Sequence, residues 1–137
     1  MSVEPAVSVA DAPRGELAIR TIAMPADTNA NGDIFGGWLM SQMDSAGGMS
    51  AVQRCGGRVV TVAVNAMVFH RPVKVGDILC VYTEILKVGR TSMHIRIEAW
   101  VRRFTSTIHE RVTEGEFTYV AIDADGRPRP VDLPSAN

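Results

Sequence analysis

GGWLMSQMDSAGGMSAVQRCGGRVVTVAVNAMVF, residues 36–69, is where the hydrophobic period of the chain changes, and that change decides the fold. In its first part Leu39, Met40, Met43, Ala46 and Met49 recur at helical spacing. Gly56-Gly57 then stops the run, so a helix is predicted from Gly36 to about Arg54. Val59 to Phe69, immediately beyond, is rich in β-branched residues and reads as a strand.

Outward from this junction the pattern stays β. Ile78 to Val88 follows a turn at Pro72–Asp77. Ser92 to Phe104 alternates, with Met93, Ile95, Ile97, Ala99 and Val101 on one face. His94, Arg96, Glu98, Trp100 and Arg102 form the other, predicted to be less deeply buried. Glu110 to Ile122 closes the sheet. Upstream, Leu17 to Ile22 is a short strand ended by Pro25, and Ala26 to Phe35 is a loop rich in Asn, Asp and Gly. One helix must bury its stripe against the one sheet available, and short connections make that sheet mostly antiparallel. The expectation is an α+β domain over residues 15–124, a curved sheet wrapped around a central helix. Residues 1–14 and 125–137 read as tails.

At 137 residues the chain is one domain. Its 46% hydrophobic and 21% charged content is that of a globular protein rather than a disordered one. A net charge of -1 gives no basic field for nucleic acid, and no apolar run is long enough to cross a bilayer. Met1 to Pro13 lacks the basic start and apolar core of a secretory signal. Cys55 and Cys80 have neither metal-ligand nor disulfide-framework spacing, which points to a reducing cytoplasm and to packing roles.

The chemistry concentrates in residues 25–48. Asn29, Asn31, Gly32 and Asp33 form a polar loop that runs into the helix, where Gly36 and Gly37 leave bare backbone N–H groups open to a ligand. Inside the helix, Asp44 shares a side with Met40, Gly47 and Gly48. Two helical glycines cost roughly 1 kcal/mol each against alanine, so a close neighbour should offset them. Asp44 is then a partly buried carboxylate that finds donors or becomes a base. A solvated or purely structural aspartate is the competing reading. Asp27, Asn29, Asn31, Gly32 and Asp33 also match the opening of a calcium loop. That reading fails, because the twelfth position is Trp38 rather than glutamate and Pro25 obstructs a preceding helix.

His70, His94 and His109 fall on strands or strand ends, without a partner at nucleophile-base or metal spacing. Lys87-Val88-Gly89-Arg90-Thr91-Ser92 is a turn whose cationic heads and hydroxyls suit a phosphate or an amide-bearing ligand, or form a solvated hairpin tip. His70-Arg71-Pro72-Val73-Lys74 is a weaker basic turn.

Taken in order, several of these pieces resemble the short bacterial acyl-CoA thioesterases of the YciA type. They are Asn29-Ala30-Asn31-Gly32-Asp33-Ile34-Phe35-Gly36-Gly37-Trp38-Leu39-Met40 with Met43-Asp44, Arg58-Val59-Val60-Thr61-Val62, Arg71-Pro72-Val73, Val75-Gly76-Asp77, Lys87 to Ser92, and Glu98-Ala99-Trp100-Val101. The likeness spans roughly residues 15–130. It implies a hotdog fold and hydrolysis of acyl-CoA to free acid and CoA without a metal or separate cofactor, CoA being part of substrate and product. It maps the catalytic aspartate onto Asp44. Related long-chain thioesterases, which draw an asparagine and an aspartate from opposite sides of a dimer interface, add Asn29. Gly37 matches the oxyanion-hole donor, and the CoA contacts are implied at Thr61, Arg71, Gly89, Arg90, Thr91 and Ser92. A homodimer with shared sites, assembled into a hexamer as a trimer of dimers, is the implied assembly.

Two rivals belong beside this reading. A hydratase or dehydratase on the same fold generally needs a histidine base near the central helix, and residues 25–55 contain none. A non-catalytic acyl-CoA sensor could dispense with Asp44 and the polar loop, both of which are present.

Overall fold

A computed structural model describes residues 12–103 and 106–132. Its elements are β1 (Glu16–Ile22), α1 (Gly36–Cys55), β2 (Val59–Phe69), β3 (Ile78–Val88), β4 (Ser92–Arg102) and β5 (His109–Ala121). The predicted loop holds one turn of 3-10 helix at Pro25–Asp27. The sheet order is β1-β3-β4-β5-β2, with every neighbouring pair antiparallel. The helix packs across one face of that sheet, which is the hotdog arrangement.

α1 ends where the sequence says it should. Gly56 adopts the left-handed conformation (φ 72°) and donates its N–H to the Val52 carbonyl at 2.8 Å. A residue with a side chain is disfavoured there, and glycine is not. The buried helix face is Leu39, Met43, Ala46, Gly47, Ala51 and Cys55. Met40 and Met49, expected in the apolar stripe, are instead exposed on its flanks. The buried face meets Ile95, Ile97 and Ala99 of β4, Val81 of β3, and Phe117 and Tyr119 of β5, all with essentially no exposure.

The opposite face of β4 departs from expectation. Glu98 is 1% exposed and Trp100 is 3% exposed, although alternation assigns both to the less buried side. Arg96 pairs with Glu98 at 3.1 Å and with Glu114 at 2.7 Å, and the Trp100 indole donates to Glu98 at 2.9 Å. A buried carboxylate is tolerable only with such partners.

The C-terminal segment also differs. Residues 125–132, expected as part of a tail, return to the domain. Val131 is buried and donates its N–H to Arg90 O, and Arg129 donates to Cys55 O at 3.0 Å. Of the other expected tail, residues 1–11 lie outside the described residues, as does Phe104 at the predicted end of β4. Cys55 and Cys80 are free and buried.

β2 is an edge strand of 11 residues on which Val60, Val62, Val64, Val68 and Phe69 are exposed. Such an edge presents both apolar side chains and unpaired backbone groups to a further strand.

Candidate active site

Asp44 lies two turns into α1, partly buried, where the helix passes over the β2–β5 pair. Thr61 of β2 and Tyr119 of β5 are directly opposite each other in the strand register. Both turn toward the helix. The Thr61 hydroxyl donates to Asp44 Oδ1 at 2.6 Å. The Tyr119 hydroxyl lies 3.0 Å from the same Oδ1 and 2.9 Å from the Asp44 carbonyl oxygen. Asp44 Oδ2 has no hydrogen bond to the described residues. One carboxylate oxygen is anchored and the other is not.

Tyr119 is 1% exposed, and burial followed by the neighbouring Asp44 pushes its phenol well above the ordinary value. It is therefore a fixed donor rather than a base. Its approach explains one helical glycine. A Cβ on Gly47 would run into the Tyr119 hydroxyl and lie 2.5 Å from Ile97 Cδ1 and 2.8 Å from Tyr119 Cζ. At Gly48 the nearest atom would be Tyr119 Cε1 at 3.9 Å, an ordinary contact.

From Ser45, the residue after Asp44, a groove of about 640 Å³ opens along α1, lined also by Gly48, Met49, Val52, Arg58 and Val59. Its walls are mostly apolar, and Arg58 supplies a cation.

The remaining sequence-predicted residues fall into two groups away from Asp44. Asn29 folds its own loop, with Oδ1 accepting the N–H groups of Asn31 at 2.9 Å and Asp33 at 3.2 Å. Lys74 Nζ lies 2.6 Å from Asp33, so a lysine ammonium occupies part of the supposed calcium loop. Gly36 and Gly37 open α1 with no side-chain cap, and a Cβ on Gly37 would lie 2.5 Å from the Phe35 ring. Arg71 sits past the end of β2, exposed, 4.0 Å from Glu110. At the opposite end of the sheet, Gly89 N–H donates to Ser92 O at 2.8 Å, and Thr91 O accepts from Ala121 N–H. Arg90 is exposed, and its guanidinium has no hydrogen bond to the described residues. A strand of 11 residues spans roughly 35 Å, so one chain does not bring Arg71 and Arg90 together.

The sequence profile of the thioesterase superfamily matches residues 31–103. The acyl-CoA thioester hydrolase YciA of Salmonella typhimurium is 57% identical over 124 residues, covering 88% of this chain and 93% of its own. The chain belongs to the thioesterase superfamily.

Its fold is shared by a hexameric thioesterase of Yersinia pestis, y2039, at TM-score 0.85 and 55% identity over 91% of this chain and all of the other. An acyl-CoA hydrolase of Staphylococcus aureus aligns at 28% identity, with TM-scores of 0.75–0.77, over 82% of this chain and 67–69% of its own. That enzyme was solved with butyryl-CoA and CoA, and as single alanine variants of an asparagine and an aspartate fifteen residues apart. Asn29 and Asp44 have the same separation.

In this thioesterase-superfamily chain Tyr119 is the site residue that sequence reasoning missed. Its signal was the helical glycine itself, which announced a close neighbour without naming it. Thr61, implied as a CoA contact, has its hydroxyl on Asp44. The histidines lie elsewhere: His70 Nε2 is 3.5 Å from Glu114, His94 Nδ1 is 3.1 Å from Thr118 Oγ1, and the His109 ring packs tilted against Trp100 with centroids 5.0 Å apart.

Proposed function

We propose that this protein is an acyl-CoA thioester hydrolase in which Asp44 activates the attacking water. The observation that carries the mechanism is the half-satisfied Asp44 carboxylate, on a helix that lines an apolar groove from the next residue onward, with Oδ1 held by hydroxyls and Oδ2 unpartnered among the described residues. The identity to a YciA hydrolase across most of both chains supports the substrate class.

In this reading Oδ2 takes a proton from water as the water oxygen attacks the thioester carbonyl carbon. The oxyanion forms against the Gly37 N–H at the positive end of α1. Collapse breaks the C–S bond, and the departing CoA thiolate takes up the proton from Asp44. Direct attack by the same oxygen, giving an anhydride that water then cleaves, uses the same geometry.

The site is composite. Gly37 and Asp44 of one chain stand roughly 10 Å apart along the helix axis at about 1.5 Å per residue. The Asn29 loop makes no hydrogen bond to Asp44. Antiparallel pairing of two β2 edges about a two-fold axis would set the end of one strand against the start of the other. Asn29, Gly37 and Arg71 of one protomer would then face Asp44 and the Gly89–Ser92 hairpin of its partner. Asn29 positions water or carbonyl, and Arg71, Arg90, Thr91 and Ser92 receive the CoA phosphates and amides. The hexameric relative supports a trimer of such dimers. Two free cysteines fit a cytoplasmic location.

Asp44→Asn keeps the shape of the side chain and removes the base. It is expected to lower kcat for acyl-CoA by about a hundredfold or more. Release of free thiol from acetyl-CoA through long-chain acyl-CoA is the measurement. A variant as fast as wild type on every ester would overturn the assignment.

A further inference from the structure

We propose that Tyr119 is a positioning residue for the reaction, acting through Asp44; the inference rests on the proposed role of that aspartate. Three observations converge on it. The Tyr119 hydroxyl has two acceptors, Asp44 Oδ1 at 3.0 Å and the Asp44 carbonyl oxygen at 2.9 Å, both on one residue. The Asp44 carbonyl lies within α1, where helix geometry already gives it an amide four residues on, so the charged carboxylate is the stronger claim on the phenolic proton. Gly47 opens the helix surface at the point where the ring passes beneath it.

Thr61 supplies the second donor to the same oxygen at 2.6 Å, from the strand position paired with Tyr119. Two hydroxyls fixed in adjacent strands thus hold Oδ1 from the sheet side. The carboxylate cannot rotate freely about its Cβ–Cγ bond without breaking charge-assisted hydrogen bonds, and Oδ2 keeps one direction. A donor buried in the sheet is a stiffer guide than one on a loop, because its own rotamer is locked by packing. Phe117, stacked with Tyr119 at a centroid distance of 6.4 Å, adds to that packing.

Tyr119→Phe removes the hydroxyl and keeps the ring. The expected result is a loss of about tenfold in kcat on a short acyl-CoA, in line with one hydrogen bond to a charged group. KM should stay within about twofold, because a contact made to the enzyme's own carboxylate is not a contact made to substrate. Thr61→Val should show the same pattern and Thr61→Ser should largely restore it. Asp44→Asn is assayed in parallel. If that variant is impaired while Tyr119→Phe keeps wild-type kcat, the positioning role is overturned and the base assignment stands. If Asp44→Asn is fully active, the base assignment falls and takes this inference with it. A Tyr119→Phe protein whose kcat loss comes with a comparable rise in KM and a loss of Tm would show a merely structural tyrosine, and also overturns the proposal.

Discussion

Gly47 and Gly48 are neighbours in α1, yet replacing them with alanine should move stability in opposite directions. Each substitution gains up to about 1 kcal/mol of helix propensity. At Gly48 the new methyl group meets its nearest neighbour at 3.9 Å, so the gain is kept and Tm rises. At Gly47 it is driven into the Tyr119 hydroxyl and Ile97, both fully buried, and overpacking of that kind costs about 1–3 kcal/mol. Gly47→Ala should therefore lower Tm, and it should also reduce kcat by displacing the Tyr119–Asp44 contact. Thermal denaturation of the two variants beside wild type checks the pair, and equal shifts in Tm would contradict the argument. The contrast shows why local sequence left Asp44 with three readings. Propensity reveals that a helical glycine is costly, but the atom that requires it lies 72 positions away in β5.

At the scale of elements the helix and all five strands were legible, α1 and β4 from their period, β2 from its β-branched residues, and the others from the turns that bound them. The outer face of β4 was less legible. Alternation assigns a residue to a face, whereas burial on that face depends on partners contributed by other strands. Glu98 is covered because Arg96 pairs with it and with Glu114 of β5, with Arg111 3.3 Å from Glu114. Burial alone would raise the Glu114 carboxyl, but Arg111 and Arg96 outweigh it and hold the group below its ordinary value. His109 belongs to the same face, its ring tilted against Trp100 with centroids 5.0 Å apart and its Nε2 buried and unpartnered among the described residues. Burial first, then Arg102 and Arg20, lowers its affinity for a proton. The unfolded chain therefore binds a proton here below roughly pH 6.5 that the folded chain resists. The stability owed to neutral His109 is present above that pH and is lost as pH falls through the lower folded value. Wild-type Tm should accordingly decline between roughly pH 7 and pH 5, and His109→Phe, which keeps a ring on Trp100, should flatten that decline. Parallel Tm–pH curves for the two proteins would show that His109 is not the group responsible.

Across the whole molecule, the proposed site residues divide between two places in one chain. Asp44, Thr61 and Tyr119 assemble within a protomer, and the sequence had already singled out the first two. Asn29, Gly37 and Arg71 sit toward the other end of α1 and β2, a separation that a motif written along the chain conceals. Val60, Val62, Val64, Val68 and Phe69 on the β2 edge supply the apolar surface a second copy would cover. If two-fold pairing completes each site, a subunit lacking Asp44 and a subunit lacking Asn29 are defective in different halves of it. A mixed dimer then carries one site with both defects and one site with neither. Asn29→Ala and Asp44→Asn subunits, each assayed alone and then denatured and refolded together in equal amounts, should recover about a quarter of wild-type activity, since random pairing makes half the dimers mixed and each holds one good site of two. Sites contained within single chains would give no recovery above the average of the separate variants. Sizing by light scattering on the same samples reports whether subunits reassembled, so absent activity in a properly assembled mixture counts against the shared site rather than against refolding.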